Sequence, residues 1–397
     1  MSLRPALLLL ALLAAAPAPA QTPAPAGQTL RVAPAGAPPG AAQPAAGETA
    51  GKPGGADFEM AELDARAIPL GGALRDDALW QAWKARFMTA QGRVVDGANG
   101  LMSHSEGQGY GMLLAVAAND RPAFDALWGW TRGNLMVRPD ALVAWRWEPE
   151  KRSGVGDVNN ATDGDLLIAW ALAEAAEWWA DGAYRVAARR IAVELARKTL
   201  LLKTKWGALI LPAVDGFAAE DRPDGPVVNP SYWVFPALER LRLVAPEIDW
   251  KGVAQSGLDL LKESRFGDAR LPSDWVALKD GRPKPAEGFP TTFGYNAIRI
   301  PFYLAWAGVG ERDHYAPFVA AFRDKPVASH DVVANTSEPL ADPGYRALAA
   351  LTLCATTGAS WPAELRAGGA PEHYYPATLR LLALLAAKMR YPACLGG

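Results

Sequence analysis

The sequence feature that most constrains the fold is an alternation between two kinds of helix-length segment. Residues 106–118 and 163–179 are mostly apolar, whereas residues 122–135 and 182–202 carry a polar or basic face. A helix that is apolar nearly all round is buried, and an amphipathic helix lies outside it. The repeated order of inner and outer segments therefore predicts an all-α toroid of helical hairpins.

The alternation continues less regularly toward the C-terminus. Residues 230–243 and 251–264 form a further candidate pair, residues 291–307 and 312–323 are an expected inner and outer helix, and residues 344–355 and 372–390 are expected to close the ring. Pro301 is expected to kink or restart its helix. A short strand in a loop near residues 208–212 is compatible with this plan. No strict repeat is present, so the toroid is predicted from alternating burial alone.

The first 60 residues are expected to lie outside the toroid. Residues 1–20 combine Arg4, an apolar run and an Ala-Pro-Ala end, a pattern typical of a secretory signal peptide. An uncleaved anchor is the alternative, but a membrane-spanning helix needs about 20 apolar residues. Residues 21–60 are rich in Ala, Pro and Gly and are typical of a flexible linker. We expect a periplasmic or secreted protein that folds over residues 61–397.

Composition excludes several classes of partner and cofactor. The net charge is −2 and no Lys/Arg run stands out, so a nucleic-acid partner is not expected. The four histidines lack paired spacing, so we expect no metal and no other cofactor. Cys354 and Cys394 form a disulfide or remain two separate thiols; the sequence leaves both open.

The first motif that carries chemistry is the segment from Ser103 to Met112. Glu106 stands at the start of an apolar helix, and Ser105 with Gln108 has the spacing of a capping box. Three glycines at alternate positions leave space beside the backbone for a ligand or a neighbouring helix. The alternative is that Glu106 only complements the helix dipole.

The second motif spans residues 159–165 and also opens an apolar helix. Two acids, Asp163 and Asp165, flank a glycine there, and helix capping explains one acid better than two. If the inner helices point their N-termini toward one end of the toroid, both acids gather there with Glu106. Paired carboxylates of this kind serve glycoside hydrolysis.

The third motif spans residues 291–301 and places Arg299 alone in an apolar stretch. Burying an unpaired charge is costly, so we expect Arg299 to pair with a carboxylate of the same cluster. A purely structural ion pair is the alternative.

Taken in order, these segments resemble glycoside hydrolase family 8, in particular its periplasmic endoglucanases that accompany bacterial cellulose synthase. The resemblance implies an (α/α)6 barrel with an open cleft across one end, so that residues 61–397 form a catalytic domain. The matching segments begin at Gln91, Ser105, Ala118, Ala161, Asn229, Ser273 and Tyr295.

The resemblance also implies site roles. Glu106 corresponds to the family's general acid, and Asp163 to its signature aspartate beside the sugar at the cleavage point. Many members carry the base as Asp in a Tyr-Asp-Ala-x-Arg segment, but this chain has Asn296, whose amide cannot accept a proton as a carboxylate does. Asp163 is the leading substitute base, followed by Asp165, Asp157 and Asp342. Burial and Asp163 are expected to raise the pKa of Glu106, so these two residues should interact.

Aromatic and polar side chains near the motifs are expected to bind the glucan, although each aromatic is also a candidate for the core. Trp145 and Trp147 are favoured because residues 144–150 read as a loop. The full expected set is Tyr110, Trp145, Trp147, Asp165, Tyr232, Trp275, Tyr295, Asn296 and Arg299.

The sequence therefore predicts a monomeric, inverting endo-β-1,4-glucanase acting on cellulose-type glucan, associated with cellulose synthesis. Two alternatives stay open. One is a family 8 enzyme for xylan, mixed-linkage glucan or chitosan. The other, suggested by Asn296, is a glucan-binding accessory protein with weak catalysis.

Overall fold

The computed structural model describes residues 70–367 and 372–396. The predicted signal peptide (residues 1–20) and linker (residues 21–60) lie outside the described residues. The helices are α1 (Ala78–Phe87), α2 (Ser105–Ala117), α3 (Arg121–Asn134), α4 (Thr162–Trp178), α5 (Gly182–Thr199), α6 (Phe235–Leu241), α7 (Trp250–Glu263), α8 (Arg299–Ala307), α9 (Arg312–Phe322), α10 (Pro343–Thr357) and α11 (Tyr374–Arg390).

The helices form two concentric layers. Helices α2, α4, α6 and α8 pack side by side, and α11 contacts both α8 and α2 to close the ring. Helices α3, α5 and α7 pack outside α2, α4 and α6, while α9 packs against α7 and α10. This is the toroid of helical hairpins that the alternating pattern predicted, and it has the (α/α)6 fold that the family resemblance implied.

Burial follows the predicted alternation. Inner helix α4 is buried at every residue from Thr162 to Ala176, whereas outer helix α5 buries only six of its residues. Glycines bring α2 and α4 together at their first turns. A Cβ on Gly109 would lie 2.6 Å from the Leu167 Cβ, and one on Gly164 would lie 2.1 Å from the Ser105 Oγ. This close approach places the start of α2 beside the start of α4.

Short strands decorate the loops. They are β1 (Ser103–His104), β2 (Arg146–Trp147), β3 (Leu200–Thr204), β4 (Gly207–Ile210), β5 (Val227–Val228), β6 (Val276–Ala277), β7 (Lys284–Pro285), β8 (Thr292–Phe293), β9 (Ala328–Asp331) and β10 (Thr336–Pro339). All pairs are antiparallel: β1–β2, β3–β4, β5–β6–β7 and β8–β9–β10. The short strand that the sequence left open near residues 208–212 is present as β4.

Two local predictions were wrong. Residues 291–298 are not helical, because strand β8 and a turn precede α8, which begins only at Arg299. Pro301 lies in the first turn of α8, where its missing N–H costs no helical hydrogen bond. The capping box is also absent. The residue before α2 is His104, and the Gln108 side chain is buried among Val94, Gly92 and Thr131 instead.

Cys354 and Cys394 form a disulfide with a Cα–Cα distance of 6.1 Å, which decides between the two alternatives. The bond joins the last turn of α10 to the segment that follows α11. Within residues 70–367 and 372–396, no helix has the length and apolar character needed to cross a bilayer.

Candidate active site

The candidate site is organised by Arg299, whose side chain is buried at the start of α8. Its Nη1 donates to the Glu106 carboxylate and to Oδ2 of Asp163 at 3.0 Å. Its Nη2 donates to Oγ of Ser231 at 3.0 Å and to Oδ1 of Asn296 at 2.9 Å. The lone arginine thus pairs with carboxylates, as predicted, and it joins the starts of α2, α4 and α8 at one end of the toroid.

Glu106 has the surroundings of a proton donor. Its side chain is 17 % exposed, whereas that of Asp163 is only 3 % exposed. Burial raises the pKa of the Glu106 carboxyl; the Arg299 charge opposes this rise and the neighbouring Asp163 adds to it. A hydrogen bond links the Glu106 and Asp163 side chains. Glu106 therefore has a raised pKa and a side chain that is still partly open to solvent.

The placement of Asp163 contradicts the prediction that it is the base. Its Oδ2 and the Glu106 carboxylate contact the same nitrogen of Arg299, and their side chains also contact each other. Two hydrogen-bond lengths separate such oxygens by roughly 6 Å at most. An inverting acid and base lie about 6.5–9.5 Å apart, with a water between them. Asp163 therefore lies on the acid's side of the site.

The structure places Asp165 away from solvent. Its side chain is fully buried and accepts hydrogen bonds from Val143 N and Asn160 Nδ2, both at 2.8 Å. Burial raises the pKa of Asp165 to about 7, against the effect of these two donors. This burial contradicts both expectations for Asp165, sugar contact and general base.

The two other candidate bases lie on separate loops. Asp157 accepts hydrogen bonds from Trp145 Nε1 at 2.8 Å and from Asn159 N at 2.9 Å. Asp342 precedes α10 and acts electrostatically on Tyr295 and Tyr345. Neither acid shares the hydrogen-bond network of Arg299, so neither is placed to act with Glu106 through it.

Tyr110 and Tyr232 lie beneath the acid pair. Tyr110 is fully buried; its hydroxyl bonds that of Tyr303 at 2.6 Å and accepts from Arg299 Nη1 at 3.4 Å. The burial of Tyr110 contradicts its expected sugar contact. Tyr232 is 9 % exposed, hydrogen-bonds Asp163 and has the Arg299 guanidinium 6.0 Å from its ring.

Trp145 and Trp147 are half-buried rather than free. The guanidinium of Arg146 lies 4.4 Å from the Trp145 ring, and that of Arg93 lies 4.7 Å from the Trp147 ring. The predicted loop also contains strand β2, which pairs with β1 just before α2. Both rings thus flank the start of α2, each with an arginine over one face.

Trp275 is half-buried, with the Tyr232 ring edge-on at 6.3 Å, and Tyr295 is exposed. Phe217 and Phe289 stack on Trp275 at 5.5 and 4.6 Å, and their own centroids are only 6.4 Å apart. Both phenylalanines therefore lie on the same side of Trp275, and the opposite face carries neither. Tyr295 is 38 % exposed, and its carbonyl accepts a hydrogen bond from the Tyr375 hydroxyl at 2.6 Å.

Sequence reasoning missed Ser231 and Asp274. Asp274 is 7 % exposed, and its Oδ1 accepts from Gly294 N at 3.0 Å and from Ala297 N at 2.7 Å. Burial raises the pKa of Asp274 to about 6, against the effect of those two donors. A signal was present, because Asp274 is a lone acid in the apolar segment 271–278, as Arg299 is a lone base in its own.

The described residues place proton-transfer groups together without a metal centre. Among residues 70–367 and 372–396, no group of three His, Cys, Asp or Glu side chains has a metal-binding arrangement. A protonated Glu106 beside a buried cation can donate a proton to a leaving oxygen. Exposed or half-exposed aromatic rings on both sides can stack on the apolar faces of sugar rings.

Comparison with known proteins gives consistent results. A sequence model described as "Glycosyl hydrolases family 8" matches residues 71–389. An endoglucanase of Cellulomonas uda is 46 % identical over 233 residues, a match covering 57 % of this chain and 62 % of that protein. A probable endoglucanase of Novacetimonas hansenii is 35 % identical over 335 residues, covering 81 % of this chain and 95 % of the relative. The crystal structure of endoglucanase Cel10 of Klebsiella pneumoniae, described as a family 8 glycosyl hydrolase, superposes with a TM-score of 0.73 at 39 % identity, covering 79 % of this chain and all of that one.

Proposed function

The chain belongs to glycosyl hydrolases family 8, and from this premise we propose that it is an endo-β-1,4-glucanase that cleaves cellulose-type glucan with inversion. The observation that carries the proposal is the pairing of Glu106 and Asp163 on one nitrogen of Arg299. Glu106 donates its proton to the leaving glycosidic oxygen. Asp163 and Arg299 keep that carboxyl in place and oppose each other in setting its pKa.

The glucan binds across the end of the toroid where α2, α4 and α8 begin. Tyr295 and the half-buried Trp275 provide stacking surfaces, and Trp145 and Trp147 lie near β1 and β2 beside the start of α2. Asn296 and Tyr232 contribute polar groups beside Arg299. A long chain bound across an open end is cut internally, which corresponds to endo action.

Hydrolysis of carboxymethyl cellulose tests the proposal. We expect the viscosity to fall much faster than reducing ends appear, because internal cuts shorten chains quickly. Proton NMR of a cello-oligosaccharide digest should show the α-anomer first, since inversion at a β-linkage gives that product. Faster release of reducing sugar from xylan, lichenan or chitosan would mean that one of these polymers, and not cellulose, is the substrate.

One observation favours a second candidate, a glucan-binding accessory protein with weak catalysis. The residue beside Arg299 on the sugar side is an amide, Asn296, which is not itself a base. Binding of cello-oligosaccharides without product release would support this candidate and contradict the hydrolase.

The cellular setting follows from the N-terminal sequence. A signal peptide at residues 1–20 and a linker at residues 21–60 would deliver a monomeric enzyme to the periplasm or beyond. Fractionation of expressing cells and size-exclusion chromatography test the location and the monomer. Association with a cellulose synthase complex stays a prediction, which co-purification with that complex tests.

A further inference from the structure

The structure leaves the attacking water without an evident base, and this inference rests on the proposed hydrolysis. We propose that Asp274 accepts the proton of that water through the side-chain amide of Asn296. Asp274 is then the terminal proton acceptor, and Asn296 is the group that contacts the water.

The positions of the other acids leave one candidate for the proton acceptor. Asp163 contacts Glu106 and the same nitrogen of Arg299, so it lies on the acid's side. Asp165 is sealed from solvent. The remaining carboxylate connected to the hydrogen-bond network of Arg299 is Asp274, which Asn296 links to that network.

The hydrogen bond from Arg299 fixes the orientation of the Asn296 side chain. Its Oδ1 accepts from Nη2 of Arg299 at 2.9 Å, which turns its Nδ2 away from the guanidinium. The Asp274 carboxylate accepts from the backbone N–H groups of Gly294 and Ala297, on either side of Asn296, and the Asn296 side chain is near enough to lower the pKa of Asp274. An amide oxygen has two lone pairs, so one remains for the water while the other accepts from Arg299. Asn296 is half-buried and so retains solvent access, whereas Asp274 is buried.

In the part of the chain that the structure describes, Asp274 is a buried carboxylate without a close cationic partner. A Cβ on residue 294 would lie 2.9 Å from Oδ2 of Asp274, so only glycine at that position leaves room for the carboxylate. Within residues 70–367 and 372–396, no Lys, Arg or His forms an ion pair with it at 4 Å or less. Burial raises the pKa of Asp274 to about 6, which suits a group that accepts and releases a proton near neutral pH.

The proton transfer balances as follows. The water oxygen forms a bond to the anomeric carbon while the bond from that carbon to the glycosidic oxygen breaks. Glu106 gives its proton to the leaving oxygen. The water's proton passes to Oδ1 of Asn296 while a proton of Nδ2 passes to Asp274, which leaves a transient imidic acid. Return of the Asp274 proton to nitrogen and loss of the Oδ1 proton to solvent restore the amide, and solvent reprotonates Glu106.

A double-mutant cycle tests the proposal. Asp274→Asn is made in the natural chain and in an Asn296→Asp variant, whose new carboxylate contacts the water directly. We expect Asp274→Asn to lower kcat about 100-fold in the natural chain and less than tenfold beside Asp at position 296. Equal losses in both backgrounds would mean that Asp274 only holds the start of α8, and would overturn the proposal.

Asp165→Asn is the matched control, because Asp165 is also buried and bonded to one backbone N–H and one asparagine amide. Asp165→Asn should lower kcat by the same factor in both backgrounds.

Asn296→Ala provides a second test that leaves the bonds of Asp274 to Gly294 and Ala297 in place. We expect it to lower kcat about 100-fold with oligosaccharide binding retained; more than a tenth of natural turnover would overturn the relay. A natural chain that releases no sugar from any β-glucan would overturn the proposed function as well, whereas an active chain with equal losses overturns only the role of Asp274.

Discussion

Glu106 and Asp163 accept hydrogen bonds from the same nitrogen atom, Nη1 of Arg299. One cation thus touches two acids from two different inner helices. Burial and Asp163 favour a proton on Glu106, whose pKa is raised, although the charge of Arg299 acts in the opposite direction. The balance of these effects sets the pH range of the acid.

Replacing the acid should remove chemistry and spare binding. We expect Glu106→Gln to lower kcat by about 1,000-fold, because general acid catalysis contributes on the order of 10²–10⁴. Reducing-end release measures kcat, and calorimetry with a cello-oligosaccharide measures binding. Glu177→Gln, at an exposed residue of α4, is the control and should behave like the natural chain. More than a tenth of the natural turnover in Glu106→Gln would rule out this acid.

Removing the cation should move the alkaline limb of the pH profile. The charge of Arg299 lowers the pKa of Glu106, so Arg299→Met should raise it and extend activity to higher pH. The protein should also lose about 3–5 kcal/mol of stability, because two buried acids lose their partner. The pH dependence of kcat/KM and urea unfolding measure these effects. Arg299→Lys keeps the charge and should shift the limb less; a limb that stays in place in Arg299→Met would contradict the assignment.

The exposed ring of Tyr295 should contribute to binding rather than chemistry. We expect Tyr295→Ala to raise KM about three- to tenfold with kcat changed less than twofold, since the lost stacking is equal in ground and transition states. Initial rates on soluble cello-oligosaccharides separate the two constants. Tyr295→Phe keeps the ring and should resemble the natural chain. A large fall in kcat with unchanged KM would place Tyr295 in the chemical step instead.

Asp165 should make stability depend on pH. Its pKa is raised to about 7 in the fold from an ordinary value of 3.8, so the folded protein binds a proton that the unfolded chain releases between these values. Its contribution to the free energy of unfolding is full below pH 4 and is lost as the pH rises through 7. Asp165→Asn should therefore destabilise the protein more at pH 5 than at pH 8. Urea unfolding at both pH values measures this, and the opposite order would contradict it.

The disulfide should stabilise the fold without affecting catalysis. Cys354 and Cys394 are 40 residues apart, and cross-links of that span stabilise by about 2–4 kcal/mol. Replacing both by Ser should lower the urea midpoint accordingly while kcat stays within twofold. Reduction of the natural chain should give the same shift. Loss of turnover in a folded double variant would show that the bond also maintains the site.

The two layers of helices were predictable from sequence, because a helix that is buried on all sides is apolar on all sides and an outer helix is not. Helix α4 shows this, since its buried run matches the apolar segment that predicted it. The start of α8 was not predictable in the same way. The turn that leads into α8 donates from Gly294 N and Ala297 N to Asp274, which lies some 20 residues earlier in a different loop. Local pattern carries no information about such a distant partner.

The residue types of the site were easier to predict from sequence than the directions in which their side chains point. Glu106, Asp163 and Arg299 come together because each begins an inner helix, and helix starts on one end of a ring must meet. Tyr110 belongs to the same motif as Glu106 but lies one helical turn further along α2, where its hydroxyl bonds that of Tyr303 in the core. Nearness in sequence to an acid therefore does not establish nearness to the substrate.

The partners of Arg299 on α2 and α4 are separated from it by 193 and 136 residues. No fragment lacking either end of that span can hold the acid against its counter-charge. Hydrolytic competence is consequently a property of the closed ring, acquired at the last stage of folding. The enzyme would stay inert toward glucan until α2, α4 and α8 have all reached their places.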